Sequence, residues 1–343
     1  MLIQTTGRVV RTTPWDDQAQ ELQISIGGET EGFARALNYP ALTGDAAPGD
    51  VVLLNITAIY LHLGTGGYGY VIANLTQAKG GQKMLNRGPG HIIKGRYLPC
   101  QHTVFTLEEQ EQYADFWENR LDGFPVLVGQ LHSQIAPAAA ALHLSGRAKI
   151  AYVMTDQAAL PMAFSKLVRE LQAAGLLTAT LTCGQAFGGD YETVTLHSAL
   201  LAAKHILNCN AAVVCQGPGN AGTGTKYGFS GIEQAQNLDI VSALGGTAIA
   251  IVRVSSADKR ERHQGISHHT RTTLELAHSR CLVPLPAGTE ATGLPDKHDV
   301  RFVDGAQAAL DLLAERNIRV TTMGRTPAED PAFFLAAAAA GMV

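Results

Sequence analysis

The chain has 343 residues, 16 % of them charged and 46 % hydrophobic, and a net charge of −4 at neutral pH. That length and hydrophobic share support one large or two smaller buried cores and exclude a disordered chain. The mild negative balance gives no reason to expect a nucleic-acid partner or an acidic membrane surface, and no apolar run is long enough to span a bilayer.

Residues 1–85 read as a small β-rich domain. Gly7–Arg11, Leu22–Ile26, Glu31–Leu37 and Val51–Asn55 are short, partly alternating runs, separated in places by Gly27-Gly28 and Pro48-Gly49-Asp50. Such spacing suggests a small antiparallel barrel or sandwich. The first residues show no basic region followed by an apolar stretch, so no secretory signal is evident. Residues 86–123 read as a connector with a turn at Gly88–His91 and a polar helix over Leu107 to Arg120.

Residues 124–343 alternate strand and helix. Strands are expected at 125–129, 149–154, 178–182, 211–215, 247–252, 281–285 and 301–303. Helices are expected near 134–144, 161–174, 193–207, 231–244 and 306–316. The alternation specifies an α/β domain, a mainly parallel layered sheet with helices on both faces, Rossmann-like. Its ligands are expected beyond the carboxyl ends of the strands. The five cysteines, 100, 183, 209, 215 and 281, include no CxxC, and reduced, buried thiols of a cytoplasmic protein are the expectation.

Four successive strands end in polar or glycine-bearing turns: Thr155-Asp156, Cys183 to Glu192, Gln216 to Gly231, and Arg253 to Thr270. In a parallel sheet these turns share one edge, and their convergence weighs more than any single motif. Residues 217–222 match G-x-G-x-x-G, but the loop is long for a dinucleotide site, and Arg253 stands where an acid belongs. Gly217, Gly219, Asn220, Gly222, Thr223, Gly224 and Lys226 are therefore candidates for holding a phosphate or carboxylate through backbone N–H groups and one ammonium. A glycine-rich hinge without a ligand is the competing structural reading.

The 253–270 segment is the densest reactive cluster. Arg253, Arg260 and Arg262 suit an anion clamp. His263, His268 and His269 suit acid–base work, with Asp156 or Asp190 orienting them. No metal-ligand spacing such as HExxH is present, and adjacent His268 and His269 are expected to point apart on a helix or strand, so no metal is assigned. A solvated charged face is the alternative for Lys259–Arg262, and helix capping for Asp190 or Glu192. His197 reads as a core histidine, His132-Ser133 as a further candidate for the same edge, and Cys183 as the thiol to watch. No G-x-S-x-G elbow appears, which disfavours a common serine hydrolase.

Several strings resemble an uncharacterised bacterial family catalogued as domain of unknown function 3866. They are Leu63–Gly67, Gly88-Pro89-Gly90-His91-Ile92-Ile93-Lys94-Gly95-Arg96-Tyr97, Tyr152–Asp156, Gly184–Asp190, the 215–231 loop, Arg260–His263 through His268-His269, Met323-Gly324-Arg325 and Asp330–Phe334. The resemblance runs nearly end to end. It implies a shared fold and a shared site, adds Leu63–Gly67 and Gly90–Tyr97 as site candidates, and brings no activity or cofactor. The functional expectation is an intracellular enzyme binding a small anionic substrate in a glycine-rich cleft. A non-catalytic ligand-binding protein and a metal-dependent hydrolase are the alternatives. The alanine-rich tail with Phe333-Phe334 is expected to pack either internally or against a second copy of the chain.

Overall fold

The structure is a computed structural model that describes residues 2–27, 33–63, 66–77 and 88–343. The expected turn at Gly28, the start of the 31–37 strand and the Gly64-Thr65 part of the Leu63–Gly67 string lie outside the described residues. The chain divides into two compact units, Met1–Phe105 and Thr106–Val343.

The first unit is a closed barrel of five strands: β1 (Gln4–Pro14), β2 (Gln20–Ser25), β3 (Phe33–Asn38), β4 (Val51–Asn55) and β5 (Tyr68–Asn74), in the order β1-β2-β3-β5-β4. Short helical turns α1 (Pro40–Thr43) and α2 (Thr57–Tyr60) link them. Period-two patterning makes this barrel, because alternate residues such as Leu22 and Ile24 or Val52 and Leu54 point inward and are fully buried. Gly7 permits the tight pairing there, since a Cβ would sit 2.3 Å from Ile24 Cγ2. A hairpin of β6 (Ile92–Lys94) and β7 (His102–Val104) follows.

The second unit carries an eight-stranded sheet. Its strands are β8 (Pro125–Val128), β9 (Ile150–Thr155), β10 (Ala179–Thr182), β11 (Tyr191–Glu192), β12 (Ala211–Gln216), β13 (Thr247–Ala250), β16 (Leu282–Pro286) and β17 (Asp299–Val303). The intervening β14 (Val254–Ser255) and β15 (Gly265–Ile266) form a separate small ladder. The order is β11-β10-β9-β12-β8-β13-β16-β17, and every pairing within it is parallel. The central strands are continuously apolar because both faces are covered.

One face is packed by α3 (Ile135–Leu144), α4 (Lys166–Ala173), α8 (Gln307–Glu315) and α9 (Pro331–Ala339). The other is packed by α5 (Leu196–Leu201), α6 (Gln234–Ala243) and α7 (His268–Leu276). Right-handed crossovers account for α3 and α4 on one side, in connections running toward β10, and for α5, α6 and α7 on the other, in connections running toward β17; α8 and α9 follow the last strand and pack back on the first side. The direction reverses at β8, between β12 and β13. The crevice beyond their carboxyl ends is where such sheets bind ligands.

One expectation changes and one open alternative is resolved. The polar helix over Leu107 to Arg120 is two short 3₁₀ turns, Leu107–Glu109 and Glu111–Phe116. The Glu109 carboxylate turns back to accept from the Thr106 N–H (2.8 Å), and Gln110 is extended, so no α-helix propagates. The tail forms α9, whose Phe333 and Phe334 are buried in the core of their own chain.

Candidate functional site

Past β13 the chain runs through buried Arg253 into β14, and α7 starts at His268. Ser267 caps that helix, its Oγ accepting from the His269 N–H (3.2 Å) while also bonding His263 Nδ1 (2.7 Å). His263 ends the 3₁₀ turn Glu261–His263, so the turn end and the helix start face each other. The rings of His263 and His268 are 4.9 Å apart, those of His263 and His269 4.8 Å, and those of His268 and His269 4.3 Å. The two adjacent histidines therefore do not point apart. They occupy the first turn of α7, where no preceding turn restricts their rotamers, and both reach toward His263.

The glycine-rich loop lies against this cluster. Phe229 stacks on His269 at 3.6 Å with the rings only 4° from parallel. Gly224 adopts φ +83°, and a Cβ there would meet Arg262 Nη1 at 3.2 Å. Lys226 pairs with Glu275 of α7 (2.9 Å) on the surface. The loop also closes on itself. Thr223 N donates to Gly228 O (2.8 Å), Ser230 N to Ala221 O (2.9 Å), Ala221 N to Ser230 Oγ (3.0 Å) and Gly228 N to Thr225 Oγ1 (3.1 Å). Those amides are occupied within a small hairpin and do not form an anion cradle. Gly228 serves the hairpin too, since a Cβ would lie 2.2 Å from Thr223 Oγ1. Asn220 Oδ1 accepts from Gln216 Nε2 (2.9 Å) and Ser230 Oγ (3.1 Å), which fixes the root of the loop, while Gly219 and Gly222 sit on its exposed part.

Positive charge comes from the second loop. Asp258 is buried and accepts from Arg260 Nε and Nη2 (both 2.9 Å), with Arg253 at 3.3 Å and Arg325 at 3.5 Å. Asp330, fully buried, accepts from Arg325 Nε (3.0 Å), Ser255 Oγ (2.6 Å) and the Ser256 N–H (3.0 Å). Three guanidiniums thus share two carboxylates. Arg262 is exposed and has no ion pair among the described residues.

The Arg260 hydrogen bonds hold Asp258 far below the usual carboxylate range. Burial brings Arg253 down to about 10, Asp258 offsetting part of the effect, so it stays charged at neutral pH. Burial, reinforced by Arg253, takes both His263 and His269 down to about 3, and burial with Arg262 lowers His268 as well. All three rings are neutral at pH 7. They are available as hydrogen-bonding groups or ligands, and not as acids.

The acidic candidates are engaged elsewhere. Asp156 accepts from the Gln185 N–H (2.8 Å), and Gly184, at φ +63°, folds over its carboxylate. Asp190 clamps Thr180 through its N–H (2.9 Å) and hydroxyl (3.0 Å). Glu192 is buried on Thr182 Oγ1 (2.7 Å) and the Gly188 N–H (2.6 Å). Neither Asp190 nor Glu192 caps α5; Thr195 does. Among the described residues no carboxylate joins the three histidines as a possible ligand. His197 is exposed, contrary to the core position expected for it, because it faces outward from α5. Cys183 is buried with its thiol toward Met154 O. His132 bonds Ser165 Oγ (2.7 Å), and burial lowers it to about 4.

Sequence reasoning missed the interior of the crevice. Gln130, Gln216 and Gln234, all buried, link the ends of β8 and β12 to α6, and Gln130 Nε2 also reaches Thr273 Oγ1 (2.9 Å) on α7. Glu233 accepts from Thr155 Oγ1 at 2.5 Å, and burial raises it to about 7, with Asp156 adding to the rise. The signal available was the run Glu233-Gln234 directly after the loop, where an acid opening a helix reads simply as a favourable first-turn residue. A groove of about 1090 Å³ along α8, lined by Leu310, Ile318, Val320 and Pro327 among others, shares none of these residues.

A family model described as "Protein of unknown function (DUF3866)" matches residues 35–341, and the chain belongs to that family. No curated protein and no solved structure matches it.

Proposed function

We propose that this DUF3866 protein is an enzyme that binds a small anionic substrate, bearing phosphate or carboxylate, between the 217–228 hairpin and the 253–269 loop. The observation that carries the reading is the excess of guanidinium over carboxylate beside three neutral histidines. Among the described residues Arg253, Arg260 and Arg325 pair with no carboxylates but Asp258 and Asp330, and Arg262, beside Gly224, has no ion pair. An anion would complete that balance, and a charge-assisted bond to it is worth more than a neutral one. Arg262 and Lys226 would hold the anion. His263, His268 or His269 would accept a hydrogen bond from the substrate or an attacking water and orient it, since burial and the nearby guanidiniums keep each ring neutral. Glu233 is the further acid–base group of this edge, because its carboxyl is balanced between its two forms near neutrality.

The test is calorimetric titration of inorganic phosphate and a panel of phosphomonoesters and small carboxylates into the wild type and Arg262→Ala. Binding that weakens at least about tenfold in the variant, and with added salt, supports the reading. Identical isotherms for the two proteins would sink it. Turnover of no panel member by a protein that binds one would leave a ligand-binding protein in place of an enzyme.

A further inference from the structure

We propose that His263, His268 and His269 form a three-histidine site for a divalent transition-metal ion of the zinc class, with a fourth position open toward the guanidinium-lined side. One nitrogen from each ring lies within 4.8 Å of the other two. Tetrahedral Zn–N bonds of about 2.0–2.1 Å place ligand nitrogens about 3.4 Å apart, so small ring rotations close the set.

The rings are supported as ligands need to be. His263 has Nδ1 against Ser267 Oγ (2.7 Å), which leaves Nε2 to bind. His268 Nε2 is buried and has no hydrogen-bond partner among the described residues, a cost that a metal bond would remove. His269 is clamped flat against Phe229 and meets Arg253 Nη1 at Nδ1 across a long 3.4 Å. Ligation through its Nε2 places the ring proton on Nδ1 and opens that contact, while Asp258 retains the guanidinium (3.3 Å). Three neutral imidazoles without a carboxylate suit zinc, copper, iron or nickel, and do not suit magnesium or calcium.

Nearby Arg253, Arg260 and Arg262 repel a bare cation. A three-histidine ion would therefore bind well only with an anion at its fourth position, so metal and anion affinities are linked, a consequence that rests on the anion-binding reading above. An ion there would carry the substrate oxygen or a bound water and lower the latter's pKa, the role of an open three-histidine centre.

The experiment is a Co²⁺ titration of chelator-treated, full-length protein, followed by the visible d–d bands of tetrahedral cobalt, with and without inorganic phosphate. His268→Ala is the test variant, because His268 is only partly buried and Ser267, not His268, caps α7. Exposed His197→Ala is the control. One equivalent of Co²⁺, bound at least tenfold more weakly by His268→Ala and unchanged by His197→Ala, with phosphate raising the affinity about fivefold or more, is expected. No cobalt spectrum at micromolar protein, or equal affinity in His268→Ala, overturns the metal site. Phosphate binding by the metal-free protein is measured separately. If it persists while cobalt fails to bind, only the metal falls. If cobalt binding depends on His268 but phosphate and Arg262→Ala have no effect, the anion reading and the linkage fall and the metal site stands.

Discussion

Replacing Glu233 with glutamine changes how stability depends on pH. In the folded chain burial raises this carboxyl to about 7, with Thr155 pulling it back and Asp156 pushing it further up. Its ordinary value is 4.5. The folded state therefore holds the proton more tightly than the unfolded state. Between about 4.5 and 7 the native chain is protonated and the unfolded chain is not, so stability falls as pH rises through this window and is fully reduced above 7. At about 1.4 kcal/mol per pH decade, the gap amounts to roughly 3 kcal/mol. Glutamine keeps an oxygen for the Thr155 hydroxyl and never ionises, so Glu233→Gln lacks this slope. The assay is denaturant unfolding at pH 5 and pH 8, read on Trp117 in a Trp15→Phe background, since these are the two tryptophans and Trp117 belongs to the larger unit. The difference between variant and wild type should move in favour of the variant by about 2.5 kcal/mol from pH 5 to pH 8. Parallel stabilities at the two pH values would refute the placement of an ionisable, water-poor Glu233.

Other perturbations separate site from scaffold. Gly224→Ala should weaken phosphate binding and leave the melting temperature unchanged, because an exposed loop relaxes away from φ +83° and moves Arg262; unchanged affinity would show that the loop does not position that side chain. Asp330→Asn should cost about 3 kcal/mol in denaturant unfolding, at the low end for a broken buried pair because Arg325 is partly exposed; a loss under about 1 kcal/mol would mean that Arg325 is held by Asp258 alone.

The apolar runs at 149–154 and 211–215 already imply strands buried on both faces, and hence a parallel sheet with its turns gathered at one edge. The alternation in Gln20–Ser25 likewise implies a barrel wall with one face inside. Local spacing determines these, because backbone geometry turns a period of two, or a continuous run, into a face. The candidate site was legible only as a set of neighbouring loops. That His268 and His269 converge on His263 depends on where α7 begins and on Ser267 linking the two ends, which adjacency in the chain does not reveal. The glycine-rich loop looked like a cradle by composition, yet the N–H groups of Ala221, Thr223, Gly228 and Ser230 are taken by carbonyl and hydroxyl oxygens of the same loop. Nothing in the sequence singled out Glu233, which burial beside Thr155 raises to about 7. Asp156 and Asp190 looked catalytic until their backbone partners appeared. Sequence alone thus determined which groups reach the sheet edge. Tertiary structure decided their charge and partners, because desolvation and hydrogen bonding are set by neighbours distant in the chain.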